Sequence, residues 1–145
     1  MINLNGSAVI YRPVGQVFDF VSIPENDVRW HYGTLAASQL TEGTSSKGTF
    51  FRSLGHWMGH RNLSTFEVTE YRPNQKYGFK SLSGPFSSQT SFTLEIAENG
   101  GTRINISVQA AVIDFFQMDE VILEKKMKRQ LKENLTVLKD FLEAK

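Results

Sequence analysis

The chain has 145 residues, 40% of them apolar and 21% charged, with a net charge of +1. That balance fits one soluble globular domain over 1–145 and gives no support to a nucleic-acid partner, which needs a concentrated basic face. With no cysteine, disulfides, thiolate catalysis and cysteine zinc sites are excluded. The N-terminus lacks the basic and apolar regions of a signal peptide, and no apolar run is long enough to span a bilayer. The expectation is a cytoplasmic protein without stable membrane insertion.

Residues Ile2 to Tyr11 read as a first strand, with Leu4, Ala8 and Ile10 on one face. Pro13 suits the first turn of a helix, where a missing N–H is harmless. Val14, Val17, Phe18 and Val21 then follow at i, i+3, i+4 and i+7, an amphipathic stripe. Ser22-Ile23-Pro24 breaks it, and Pro24 opens a second short helix running to about Trp30. Beyond Leu35 the pattern becomes alternating segments punctuated by Gly, Asn and Pro. Strands are expected near Leu35–Thr41, Gly48–Leu54, Arg61–Tyr71, Gln75–Leu82, Phe86–Ala97 and Thr102–Val112. Arg72-Pro73-Asn74 and Glu98-Asn99-Gly100-Gly101 have the composition of hairpin turns. Trp57-Met58-Gly59 fits either a hairpin tip or the middle of one long strand. Phe92, Leu94 and Ile96 alternate with Thr93 and Glu95, as in an antiparallel sheet with one wet face.

From Phe115 to Glu143 there is no Gly and no Pro. Asp114 with Gln117 resembles a capping box at the start of a long helix. At about 100° per residue, Leu123, Met127, Leu131, Leu135, Leu138, Phe141 and Leu142 share one side. Lys125, Arg129, Lys132, Glu133, Lys139 and Asp140 share the other. The cluster Lys125, Lys126, Lys128, Arg129 and Lys132 reads as a solvated face. Only the preceding strands can supply the apolar surface this helix needs.

The order of strand, two short helices, six strands and one long helix resembles the START and pollen-allergen-like helix-grip superfamily, which includes polyketide cyclase/dehydrase-type proteins. The likeness is carried by Pro13-Val14-Gly15-Gln16-Val17-Phe18-Asp19-Phe20-Val21, similar to the opening P-x-x-x-V-[FW]-x-x-[LV]. Trp30 after Pro24, the Gly48-Thr49-Phe50-Phe51-Arg52 segment, and the V-x-E-x-x-P pattern of Val68 to Pro73 add to it. The resemblance implies an α+β helix-grip fold: a curved seven-stranded antiparallel sheet, two short helices, and a long C-terminal helix enclosing a pocket for an apolar ligand. It carries no catalytic signature, and it implies no cofactor.

Strand alternation places Ser88 and Thr90 on the face of Phe92, and His60, Asn62 and Ser64 on the face of Phe66 and Val68. It likewise aligns Ser81 with Tyr77 and Phe79. These polar residues either face a ligand or meet solvent at the sheet end. Asn134 lies within the Leu131–Leu135–Leu138 stripe and must bond a strand residue, a water or a ligand. Trp30, His31 and Tyr32 fall where such folds have a pocket rim, although Trp30 equally suits a core anchor. The ligand-binding candidates are therefore Trp30, Tyr32, Asn62, Ser64, Phe79, Ser81, Thr90, Met127 and Asn134.

Candidates for acid–base or anion-pairing chemistry are His60, Arg52 and Glu124, with Arg61 and Lys80 as further cations. Each also reads as an ordinary exposed side chain, Glu120 and Glu124 as first-turn acids that favour the helix dipole. Zinc on His56, His60 and Glu67 or His31 would need a compact motif that the sequence lacks, so no metal is expected. The leading function is binding of a small hydrophobic or aromatic molecule between sheet and helix. A polyketide cyclase/dehydrase-type enzyme and a protein-interaction module are the alternatives, and the oligomeric state stays open.

Overall fold

The computed structural model describes residues 1–57, 59–112 and 119–145. Its elements are β1 (Ile2–Ile10), α1 (Val14–Val21), a 3-10 turn (Pro24–Arg29), β2 (Thr34–Gln39), β3 (Phe50–Trp57), β4 (His60–Arg72), β5 (Lys76–Ser83), β6 (Phe86–Ile96), β7 (Thr102–Val112) and α2 (Glu120–Glu143). The strands form one seven-stranded sheet in the order β1-β7-β6-β5-β4-β3-β2. Every neighbour pairs antiparallel. This is the helix-grip arrangement expected from the order of elements.

Three differences from expectation have a local reason. The second short helix is a 3-10 turn, closed by i→i+3 bonds such as Asn26 N–H to Ile23 O and Trp30 N–H to Asp27 O. β1 ends at Ile10 because the Tyr11 N–H is taken by the Glu143 carboxylate. β3 runs on to Trp57, pairing Trp57 with His60, which makes Trp57–His60 a hairpin end. The capping box expected at Asp114 and Gln117, and the helix start at Phe115, lie outside the described residues. The described helix opens at Glu120, with the Asp119 carboxylate accepting from Val121 N–H at 2.8 Å.

α1 buries Val17, Phe18, Phe20 and Val21. These pack with Tyr77, Phe92, Leu94 and Ile104 of the sheet and with Leu135, Leu138 and Leu142 of α2. A second cluster gathers Ile2, Leu4, Ala110 and Leu123 beneath the first turns of α2. The basic residues Lys125, Lys126, Lys128, Arg129 and Lys132 lie on the outer side of α2, as the helical wheel requires.

α2 lies along β1, whose inner face reads Ile2, Leu4, Gly6, Ala8 and Ile10. The smallest residue sits where the helix comes nearest: a Cβ on Gly6 would stand 2.8 Å from Leu135 Cδ1 and 3.2 Å from Leu131 Cδ2. Replacing Gly6 with Val must therefore displace the Leu131 and Leu135 side chains or push α2 off β1. We expect Gly6→Val to cost about 1–3 kcal/mol, the usual range for overpacking a filled contact, read as a lowered Tm. An unchanged Tm would mean that the Gly6 contact does not set the helix position.

Candidate functional site

A cavity of about 260 Å³ lies between α2 and the inner faces of the central strands. One part of its wall is aromatic. Phe51 stacks on Phe66 at 5.0 Å, and Phe79 meets both edge-on at 5.2 and 5.3 Å. Trp30, in the wall after the 3-10 turn, meets Phe92 edge-on at 6.1 Å. Phe51, Phe66, Phe79 and Phe92 come from four different strands and share this wall because period two turns each inward.

The same alternation brings polar groups inward: Ser53 of β3, Asn62 and Ser64 of β4, Ser88 and Thr90 of β6. In a filled core each would need a protein partner or cost about 1–3 kcal/mol. Facing a cavity, they are available to whatever enters it. α2 contributes Met127, Gln130, Leu131 and Asn134. Asn134 is 3% exposed, and its Oδ1 accepts from the Tyr32 backbone N–H at 3.1 Å and from Gln130 Nε2 at 2.9 Å. It thereby ties α2 to the segment that follows the 3-10 turn.

That segment closes the far side. The Gly33 carbonyl accepts from His56 N–H at 2.8 Å, an approach possible because Gly55 has no side chain. A Cβ there would stand 2.9 Å from the Gly33 carbonyl oxygen. The segment also presents Asp27, His31 and Thr34 to the cavity. His31 Nδ1 lies 3.1 Å from Thr34 Oγ1. Burial lifts the Asp27 carboxyl well above the usual carboxylate range, and the nearby Glu25 charge adds to the effect. Burial also lowers the His31 imidazole below its ordinary value, although part of the residue reaches solvent. Tyr77 is raised as well, chiefly by burial and then by the Asp27 charge. The wall thus contains a carboxyl whose affinity for its proton is raised and an imidazole whose affinity is lowered, shifts in the directions that suit an acid and a base.

Trp30, Asn62, Ser64, Phe79, Thr90, Met127 and Asn134 line the cavity. Tyr32 sits outside it, 64% exposed, with its ring 5.6 Å from that of His56, itself a lining residue. Ser81 lies behind the wall: its Oγ donates to Phe86 O at 3.0 Å and accepts from Ser88 N–H at 2.9 Å, joining β5 to β6 beyond their last backbone pair. His60 is exposed at the end of β4, and Arg52 is exposed on the outer face of β3. Glu124 accepts from the Asn3 backbone N–H at 3.1 Å, on β1. Sequence reasoning did not single out Asp27, Ser53 or Gln130. Gln130 and Ser53 had a signal, one lying a helical turn before Asn134 and the other two residues from Phe51. Asp27 had none, because a six-residue 3-10 turn offers no periodicity to say which acid faces inward.

Residues 1–143 match the family described as polyketide cyclase / dehydrase and lipid transport. The chain belongs to that family. No curated protein matches it in sequence. Among solved structures, a START superfamily protein from Mycobacterium smegmatis has a TM-score of 0.85 at 12% identity, covering 99% of this chain and 99% of that one. Ara h 8.0201 has a TM-score of 0.69 at 17% identity, covering 99% and 98%. The di-domain ARO/CYC BexL from the BE-7585A biosynthetic pathway has a TM-score of 0.76 at 14% identity, covering 99% of this chain and 47% of that one. At such identities the likeness is one of fold. Among the described residues, no helix is long and apolar enough to cross a membrane.

The site makes two demands on stability in this family member. Asn134→Leu leaves the Tyr32 N–H and Gln130 amide without their acceptor, and should cost about 1–3 kcal/mol in chemical denaturation; Gln130→Ala, which leaves Asn134 bonded to Tyr32, should cost less. Equal losses would show that the Tyr32 bond contributes nothing. Asp27 has the opposite character. Its folded value is raised, so the unfolded chain releases this proton first, and stability falls as pH climbs from about 4, the unfolded value, through the folded one. Asp27→Asn removes that decline, so its Tm should gain on the parent's as pH rises through this window. Parallel Tm curves would contradict the burial assigned to Asp27.

Proposed function

We propose that this protein binds a small apolar or aromatic molecule in the cavity between the sheet and α2. The observation that carries the reading is the mixed character of the wall. Aromatic rings from four strands offer an apolar body its contact surface, while Ser, Thr and Asn groups on the same strands offer it a few fixed hydrogen bonds. Ligand sites have this composition, with polar groups few and positioned by rigid elements. Trp30, Asn62, Ser64, Phe79, Thr90, Met127 and Asn134 are the contacts we assign. Tyr32 guards the rim, and Ser81 holds the wall in place. The family's description, which couples cyclase and dehydrase chemistry with lipid transport, supports a role built around such a cavity.

A second reading is an enzyme of the cyclase or dehydrase type. It is favoured by Asp27 and His31, which both line the cavity and whose proton affinities are shifted in opposite directions. Acid–base work falls to these two ahead of His60, Arg52 and Glu124, none of which lines it. The shared fold of BexL, a di-domain ARO/CYC from a biosynthetic pathway, adds support. Positioning a flexible substrate in a closed cavity supplies much of the rate in such reactions, so a sparse set of polar groups suffices.

Filling the cavity tests the binding reading. Thr90 faces inward between Phe79 and Val108, its paired residues on β5 and β7. Thr90→Trp should lower the affinity for the neutral dye N-phenylnaphthylamine by about tenfold or more, since several apolar contacts are lost, while the far-UV spectrum stays unchanged. Native mass spectrometry of the purified parent, with solvent extraction of anything retained, identifies a resident ligand directly. Undiminished dye binding by a folded Thr90→Trp protein would place the dye elsewhere and remove the reading.

A further inference from the structure

The cavity wall is unusual in its charges. Among the described residues its ionisable members are Asp27, His31 and His56, and no Lys or Arg belongs to it. The cations close to the wall in sequence do not line it: Lys80 pairs with Glu67 at 3.8 Å, Lys76 with Glu70 at 3.2 Å, and Arg29, Arg52, Arg61, Lys126 and Lys128 are exposed. The charged group acting on Asp27 is Glu25 in its own turn, which supplies no positive charge. An anion entering this cavity would lose its hydration without gaining a counter-charge, the arrangement proteins avoid. The Asp27 carboxyl in the wall adds to that bias: ionised it repels an anion, and protonated it presents one O–H donor to the cavity.

Size narrows the class further. An apolar cavity of about 150 Å³ holds one benzene, so about 260 Å³ suits a fused bicyclic frame better than an extended acyl chain.

We propose that the cavity selects an uncharged, compact aromatic molecule whose carbonyl oxygen or amine nitrogen accepts a hydrogen bond from Asp27, and that it excludes carboxylates of the same shape. The proposal rests on the binding reading given above and adds the charge and polarity of the ligand. Where the acceptor is an amine, the Asp27 proton can pass to it, leaving an ammonium–carboxylate pair with the same total charge. Either form keeps the filled cavity electrically neutral overall.

Two dyes with one frame make the test: prodan, a dimethylamino-naphthalene ketone, and the naphthoate carrying a carboxylate in place of the ketone. Titrations are run near pH 8, above the ordinary histidine range. Prodan is expected to bind at least about tenfold more tightly than the naphthoate. Asp27→Leu should weaken prodan about three- to tenfold, shift its bound emission to the blue through loss of the hydrogen bond, and leave the naphthoate where it was. Met127→Lys, which brings a flexible cation to the α2 side of the wall, should raise naphthoate affinity and narrow the gap. Equal binding of both dyes by the parent protein overturns the selection, and binding by neither overturns the container reading beneath it. An unshifted prodan emission in Asp27→Leu removes Asp27 from the recognition. Should that variant not fold, a naphthoate affinity unmoved in Met127→Lys still overturns the proposal, because the missing counter-charge would then not be what excludes anions.

Discussion

The structure depends on α2 being fixed along β1 at a set height above the rest of the sheet. Gly6 lets the helix come down on the middle of β1, and apolar packing from Leu123 to Leu142 holds that line. Polar ties then fix its ends. Glu124 takes the Asn3 N–H near the start. At the other end Lys139 donates to Val9 O at 2.6 Å, Glu143 accepts from Tyr11 N–H at 2.9 Å, and Arg12 donates to the carbonyls of Glu143 and Lys145. Each such bond contributes only about 1 kcal/mol, but bonds to backbone at both ends fix the helix in register as well as in height. Glu143 is accordingly held below the usual carboxylate range, first by its hydrogen bond from Lys139 and then by that from Tyr11. A helix so tied cannot slide across the sheet to fill the space beside it.

The cavity follows from that constraint. β1 is an edge strand, so a helix laid along it covers one side of the inner face and leaves the side toward β3, β4 and β5 to be closed otherwise. Closure comes from the segment after the 3-10 turn, which joins β3 through Gly33 and His56 and joins α2 through Tyr32 and Asn134. Asn134 thus belongs to both coverings. A leucine at this position would suit the helix stripe but would sever the coverings from each other. The amide's place in an apolar stripe reflects a joint in the fold, and its neighbour Gln130, bonded to the same oxygen, extends that joint to the cavity surface.

What the sequence revealed about this site was parity, and what it concealed was depth. Period two correctly aligned Asn62 and Ser64 with Phe66, and Ser88 and Thr90 with Phe92, because each strand has a single buried face and a slip of one residue would reverse it. Parity also aligned His60 with Asn62, yet His60 stands beyond the covered part of the strand. How far a covering extends is a tertiary fact that no strand records. Glu124 illustrates the same gap on α2: its place on the wheel faces the sheet, but the nearest backbone donor on β1 claims its carboxylate. Asp27 was illegible for a different reason. In a turn of six residues, direction is set by the turn's own hydrogen bonds, here the Asp27 carbonyl accepting from Trp30 and His31, and nothing in Pro24-Glu25-Asn26-Asp27 marks that in advance.

The binding and catalytic readings proposed above draw on the same cavity wall, so they are not separate hypotheses about separate places. The strands hold small neutral donors and acceptors at fixed positions, which on the binding reading would orient a guest without acting on it. Asp27 and His31 come from a turn and its loop, and with His56 they are the lining groups able to carry a proton. A guest with no labile bond near them would simply be held, with Asp27 as one more donor. A guest that brings a carbonyl and an adjacent acidic hydrogen between them would meet an acid on one side and a base on the other. The family's description joins transport and cyclisation, and one fold with a shaped cavity can host both roles. In this chain the choice between them turns on the chemistry of the guest at the Asp27 end of the cavity.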